Sequence, residues 1–142
     1  MSDAVLVTGA FGLVGSATVR RLAADGRRVV ATDLDVPANR KAAAKLPSGV
    51  DVRYADLTDP AAVDALMAAV APSAVIHLAA IIPPFAYMRR ELAEKVNVGA
   101  TASLLAASAK QPSPPRFVLA SSIAAKTRSA RARNSSARSS PR

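Results

Sequence analysis

The segment Thr8-Gly9-Ala10-Phe11-Gly12-Leu13-Val14-Gly15 constrains this chain more than any other. It follows a short apolar run, Ala4 to Val7, and precedes a stretch with helical spacing that reaches Asp25. Strand, glycine turn and helix, in that order, form the setting of a dinucleotide-binding loop. Gly9 allows the tight turn out of the strand, Gly12 lets the backbone approach a pyrophosphate, and Gly15 lets the helix pack closely on the sheet. Phe11 and Leu13, between the glycines, belong to the same cofactor-binding loop. The free N–H groups of the helix's first turn then face the diphosphate, where the helix dipole favours negative charge.

Five apolar segments read as strands: 4–8, 28–33, 50–54, 74–79 and 116–121. Four are near-continuous Val, Ile, Leu and Ala, as parallel strands covered on both faces should be. The third, Val50-Asp51-Val52-Arg53-Tyr54, alternates and suits a sheet edge. Helical stretches fall between them at 13–25, 39–45, 60–70 and 88–110. Pro60 stands where a first-turn proline belongs, with Thr58 or Asp59 as N-cap, and Gly26 ends the first helix. Alternating strands and helices give βαβ units with right-handed crossovers. The pattern predicts an α/β fold: a doubly wound, parallel Rossmann-type sheet of about five strands, order 3-2-1-4-5, ending before its usual sixth strand.

The candidate site residues lie at the ends of those strands. Asp33 ends the second, 18 residues past Gly15. A carboxylate there accepts both hydroxyls of an adenosine ribose and repels a 2′-phosphate, which favours NAD over NADP. The alternative is an aspartate that simply opens the loop Asp33-Leu34-Asp35. Arg40 and Lys41 are near enough in sequence to blur the preference. Asp56 can reach the adenine amino group while Leu57 packs on the ring, or the segment from Asp56 to Asp59 can be a helix-capping loop. Ala79 and Ala80 follow His77-Leu78 and leave room for a nicotinamide ribose across the strand tips. His77, the only histidine, is read as a hydrogen-bonded core residue rather than a general base. Asn97, a mediocre helix former inside a long apolar helix, holds a water or supports a strand end, or lies exposed. Ser122 follows the fifth strand, where it can hydrogen-bond a substrate oxygen or cap a turn. No residue is assigned to a metal.

Composition narrows the partners. With no cysteine among 142 residues there is no disulfide framework, thiolate metal site or Cys nucleophile. That fits a reducing cytoplasm, as does an N-terminus without a basic-then-apolar leader pattern. No apolar run approaches the roughly 20 residues of a membrane helix, so no membrane partner is expected. The net charge is +9, but residues 126–142 hold six basic residues and no acid, while the first 125 hold 13 basic and 10 acidic. After Ala125 the chain is almost wholly Arg, Ser and Ala. The reading therefore divides it into a dinucleotide-binding domain, 1–125, and a disordered basic tail, 126–142.

Taken together, the motifs T-G-A-F-G-L-V-G (8–15), Asp33, A-D-L (55–57), H-L-A-A (77–80), V-N-V-G-A-T (96–101) and F-V-L-A-S-S (117–122) resemble the extended short-chain dehydrogenase/reductase family, in its NAD-dependent epimerase/dehydratase branch. The resemblance covers residues 3–125 in order. It implies a Rossmann domain that binds NAD(P) and acts on nucleotide sugars or related hydroxyl and carbonyl compounds. It also implies a catalytic role for Ser122, beside a Tyr and a Lys four residues apart that manage the substrate proton. Here the sequence departs from the family. Its only tyrosines, Tyr54 and Tyr87, are followed four residues later by Thr58 and Glu91. The switch at about residue 126 reads as the product of a frameshift or truncated gene, since Arg, Ser, Ala and Pro are what GC-rich coding DNA yields out of frame. Sequencing past codon 125 tests that, since another frame should then restore Tyr-Gly and a Tyr-x-x-x-Lys.

Three functions follow from this reading. The first is the NAD-holding portion of an epimerase-like oxidoreductase without its proton-transfer pair. The second is a non-catalytic dinucleotide sensor. In the third, the basic tail binds nucleic acid through phosphate contacts alone, because it has no aromatic residue for base stacking. The apolar fifth strand, Phe117 to Ala120, leaves an edge that invites self-association.

Overall fold

The computed structural model describes residues 3–121. Five parallel strands, β1 (Val5–Thr8), β2 (Val29–Asp33), β3 (Asp51–Tyr54), β4 (Ala74–His77) and β5 (Arg116–Leu119), form one sheet. Their order is β3-β2-β1-β4-β5, the doubly wound arrangement expected from the alternation of elements. The alternating third strand is indeed an edge, and all four of its residues are half-buried.

Both faces of the central strands are covered, which is why they lack alternation. Ala4, just ahead of β1, and Leu6 within it, with Val30 and Val75 in the same face, pack against Val63, Leu66 and Met67 of α3 (Pro60–Val70) and Leu104 of α6 (Ala100–Ala109). Val5, Val7, Val29 and Ala31 face the other way, onto Val19 of α1 (Leu13–Ala24). Each fully buried Val or Leu of this kind contributes about 1.5–3 kcal/mol. The short α2 (Pro37–Ala43) adds only partly buried Ala42 and Ala43. It begins two residues before the predicted start, with Pro37 in its first turn.

Local chemistry sets the helix ends. The Asp59 side chain accepts a hydrogen bond from the Ala61 amide at 3.0 Å and caps α3 just ahead of Pro60. At the far end of α1 the Gly26 and Arg27 amides return to the Ala23 and Leu22 carbonyls, with Gly26 at φ +73°. α3 ends less comfortably. Ala71, whose amide makes the last helical bond to the Met67 carbonyl at 2.8 Å, takes a left-handed conformation, φ 42° and ψ 58°, that turns the following chain off the helix. That conformation costs an L-residue about 1–2 kcal/mol. Ala71→Gly is therefore expected to stabilise the chain by about 0.5–1 kcal/mol after the added entropy of the unfolded glycine. A higher urea midpoint with unchanged slope checks it.

The helix predicted over 88–110 runs without a gap from Arg90 to Ala109, as α5 (Arg90–Glu94), a π-helical turn (Lys95–Gly99) and α6; a separate short α4 (Phe85–Met88) precedes it. The π turn contains Asn97. β5 is the other sheet edge, with Val118 and Leu119 exposed. The predicted tail, 126–142, lies outside the described residues. Among the described residues no helix is long and apolar enough to cross a membrane.

Candidate dinucleotide site

The C-terminal ends of β1, β2 and β4 meet at one edge of the sheet, on either side of the point where the strand order reverses. Crevices at such a switch point receive ligands in open α/β sheets. Thr8 ends β1, and the chain turns at Gly9 with φ +62°. A Cβ on Gly9 would lie 2.7 Å from the Ala79 nitrogen and 2.9 Å from the Leu78 carbonyl carbon. The glycine thus serves the turn and also the close approach of the segment leaving β4. A Cβ on Gly15 would lie 1.9 Å from the Gly9 carbonyl oxygen. Gly15 is buried against the loop itself, so the close packing predicted for it is with the Gly9–Ala10 turn rather than with the sheet.

Gly12 is different. A methyl added there would meet the Gly9 oxygen at 3.5 Å, an ordinary contact, and its other side is open. Gly12 is the N-cap of α1, makes no side-chain cap, and is followed by a first turn with no acidic residue. Leu13, the first helical residue, is 91% exposed at the mouth of the loop. A helix start with uncapped amides, a positive dipole end and no competing carboxylate is chemically suited to a diphosphate. The residues present therefore fit a dinucleotide.

Asp33 completes this half. Its Oδ1 accepts from the Leu34 amide at 2.9 Å and its Oδ2 from the Phe11 amide at 3.4 Å. The loop and the carboxylate are thereby joined. The Phe11 ring is buried and packs at 5.9 Å from Tyr54. Arg40 is held elsewhere: Asp35 takes its guanidinium at 2.6 and 2.8 Å, and it lies 5.2 Å over the Tyr54 ring.

The two residues expected at the adenine differ in exposure. Leu57 is 7% exposed and packs in the core beneath α3, so its side chain has little surface left for a ring. Asp56 is exposed, and its Oδ1 accepts from both the amide and the hydroxyl of Thr58, at 2.9 and 2.7 Å. That is the capping-loop alternative, with Asp59 beyond it as the cap. Ser122 lies outside the described residues, one position past the last of them.

On the β4 side the structure reveals what spacing did not. His77 is 2% exposed, with Nδ1 at 2.6 Å from Thr8 Oγ1 and Nε2 at 2.9 Å from Thr101 Oγ1. Thr101 donates its hydroxyl proton to the Asn97 carbonyl at 2.9 Å, so it accepts from the His77 Nε2–H. Thr8 Oγ1 accepts from the Leu78 and Ala79 amides, both at 3.2 Å, and so donates to Nδ1. The histidine is neutral and satisfied. Burial also holds its pKa below the ordinary histidine value. Asn97 does not face the glycine loop. Its side-chain amide clasps the backbone of Ile81, accepting from the amide at 2.8 Å and donating to the carbonyl at 2.9 Å. Thr8 and Thr101 both sit inside recognised motifs. Their shared partner is 69 residues from one and 24 from the other, a link that sequence spacing does not carry.

Ala79 is half-buried against Gly9, and Ala80 is exposed. Ala80 joins Ile81, Ile82, Phe85, Arg89 and Leu92 around an open cavity of about 360 Å³ beside the β4 tip. Among the described residues no group of three or more His, Cys, Asp or Glu is placed to hold a metal ion.

Comparison with known proteins agrees with this geometry. Residues 5–141 match the NAD dependent epimerase/dehydratase family. The chain belongs to that family. The matched span passes through the Ala125 boundary read from composition. A dTDP-L-rhamnose 4-epimerase of Burkholderia thailandensis is 39% identical over 79 residues, 54% of this chain and 22% of that protein. The structure of UDP-glucose 4-epimerase from Brucella ovis in complex with NAD is 31% identical with a TM-score of 0.74, covering 87% of this chain and 37% of the other. The Thermus thermophilus UDP-glucose 4-epimerase complex with NAD is 30% identical with a TM-score of 0.69, covering 78% and 35%. The chain thus spans well under half the length of these relatives.

Proposed function

We propose that this chain is the cofactor-holding portion of a nucleotide-sugar epimerase or a related hydride-transfer protein, and that it binds NAD in preference to NADP. The observation that carries the reading is the joint placement of the Gly12 cradle, the uncapped start of α1 and the Asp33 carboxylate at one sheet edge. The α1 amides and Gly12 hold the diphosphate, and Asp33 accepts the adenosine ribose hydroxyls. A 2′-phosphate there meets like charge, and Arg40, already paired with Asp35, is not offered to it. Bound NAD supplies a hydride acceptor. Small residues at Ala79 and Ala80 leave space for the nicotinamide end. The sugars for which these relatives are named, a dTDP- and a UDP-sugar, support a nucleotide sugar as the class, with Ser122 as the hydrogen-bond partner of its reacting oxygen.

These 142 residues contain no Tyr followed four positions later by Lys. A positioned acid/base group contributes about 10²–10⁴-fold to such reactions. We therefore propose binding without useful turnover for the chain alone, and the same observation favours a second reading as a non-catalytic NAD sensor. A thermal-shift titration separates these ideas from simple loss of function. At about 100 times Kd, NAD is expected to add about 2.7 kcal/mol, or roughly 10 °C in Tm. NADP should do less at equal concentration. A transition indifferent to both dinucleotides overturns the binding reading. Turnover of UDP-glucose by the NAD-loaded chain overturns the proposal that it is inactive alone.

A further inference from the structure

The segment leaving β4, from Leu78 to Ile81, is held at both ends by one continuous chain of hydrogen bonds. At its start, Thr8 Oγ1 takes the Leu78 and Ala79 amides. At its end, the Asn97 side chain takes the Ile81 amide and carbonyl. His77 joins the two anchors, through Nδ1 to Thr8 and through Nε2 to Thr101, whose hydroxyl rests on the Asn97 carbonyl. The link crosses from β1 through β4 to the junction of the π turn and α6. A π turn inside a helix often marks a functional site, and here it contains the clasping asparagine.

We propose that His77 is a positioning residue, setting through Thr8 and Thr101 the backbone on which the nicotinamide half of the cofactor rests. The inference depends on the NAD reading above. The sheet order supplies the direction. Asp33 on β2 fixes the adenosine ribose on one side of the glycine loop, so a dinucleotide crossing β1 carries its other half over the β4 tip. His77 itself is buried and touches no ligand. It acts by fixing Leu78–Ile81, and the adenosine half, anchored on β2 and α1, lies outside its reach. The imidazole donates from one nitrogen and accepts at the other, so the relay needs a hydroxyl at position 101 and another at position 8.

The test compares NAD with ADP, which lacks both the nicotinamide and its ribose, by calorimetric titration of the full chain. Thr101→Val keeps the shape and removes the hydroxyl. It is expected to weaken NAD about tenfold, as loss of a buried hydrogen-bond partner would. ADP should stay within about twofold. Thr101→Ser restores the hydroxyl and should recover NAD affinity. Thr8→Val attacks the same relay from its other end and serves if Thr101→Val does not fold. Equal weakening of NAD and ADP, or no recovery in Thr101→Ser, assigns the relay a purely structural role and overturns the proposal. If the unmodified chain binds neither compound, the cofactor reading itself fails. If it binds both and the valine variants leave NAD unchanged, only the positioning role fails.

Discussion

Replacing Gly15 by alanine is expected to lower the melting temperature by roughly 10 °C or more, with or without cofactor. The added methyl would sit 1.9 Å from the Gly9 carbonyl oxygen and 2.9 Å from the Ala10 Cα. Neither neighbour is a flexible side-chain end that can swing aside. Relief requires α1 to lift from the loop, which unseats Val19 from Val5, Val7 and Val29. Overpacking of backbone against backbone belongs at or beyond the upper end of the usual penalty, about 3 kcal/mol. Gly12→Ala is the control. Its methyl meets the Gly9 oxygen at an ordinary 3.5 Å, so the fold should change by less than about 1 kcal/mol. Any effect of Gly12→Ala then belongs to the ligand, as a lost NAD response in a normally folded protein. Differential melting of the two variants, each with and without NAD, checks both. If Gly15→Ala melts with the parent, the tight seating of α1 on its loop is wrong.

The contrast between these glycines also marks how far the sequence could be read. The loop, its strand and its helix were legible because local chemistry determines them. The same is true of the α3 start, where Asp59 and Pro60 act within one turn, and of β3, whose alternation announced an edge. The partner of Gly15 was not legible, since spacing alone sets it against the sheet and the structure sets it against Gly9. What the sequence withheld is mostly long-range. The π turn inside the 88–110 helix lies where Asn97 reaches Ile81 and Thr101 bonds back to the Asn97 carbonyl, and apolar periodicity is blind to both. β4 ends at His77, two residues early: the Leu78 amide is shared between the Thr8 carbonyl and hydroxyl, and the Ala79 amide goes to the hydroxyl.

The site shows the same division. Asp33 is legible from its distance to the loop, and its contact with the Phe11 amide joins the two. Leu57 reads as a ring contact because it follows a strand end. The helix after it claims that side chain for the core, where Val63 and Leu66 surround it. Asp56 satisfies Thr58, as aspartates ahead of helices commonly do. A motif fixes which residues recur; packing decides which of them face the ligand.

Asp33→Asn should then have the largest effect on the ligand itself. A carboxylate that accepts two ribose hydroxyls makes charge-assisted bonds, each worth about 1.5–3 kcal/mol. The amide keeps one acceptor and turns the other into a donor, so the Kd for NAD should rise by about 10- to 100-fold. The fold should tolerate the change. Asn retains an oxygen for the Leu34 amide at 2.9 Å, and the bond surrendered, to the Phe11 amide at 3.4 Å, is the weaker one. NADP responds in the opposite sense, because the variant removes the negative charge that faces its 2′-phosphate. Its Kd should fall or stay level, and the ratio of the two constants should shrink by an order of magnitude or more. Calorimetric titration of both dinucleotides into both proteins gives all four constants. A uniform loss for NAD and NADP would mean that Asp33 only braces the Phe11 loop. An unchanged preference would place the adenosine ribose away from the β2 tip, and the orientation of the whole cofactor would have to be reversed.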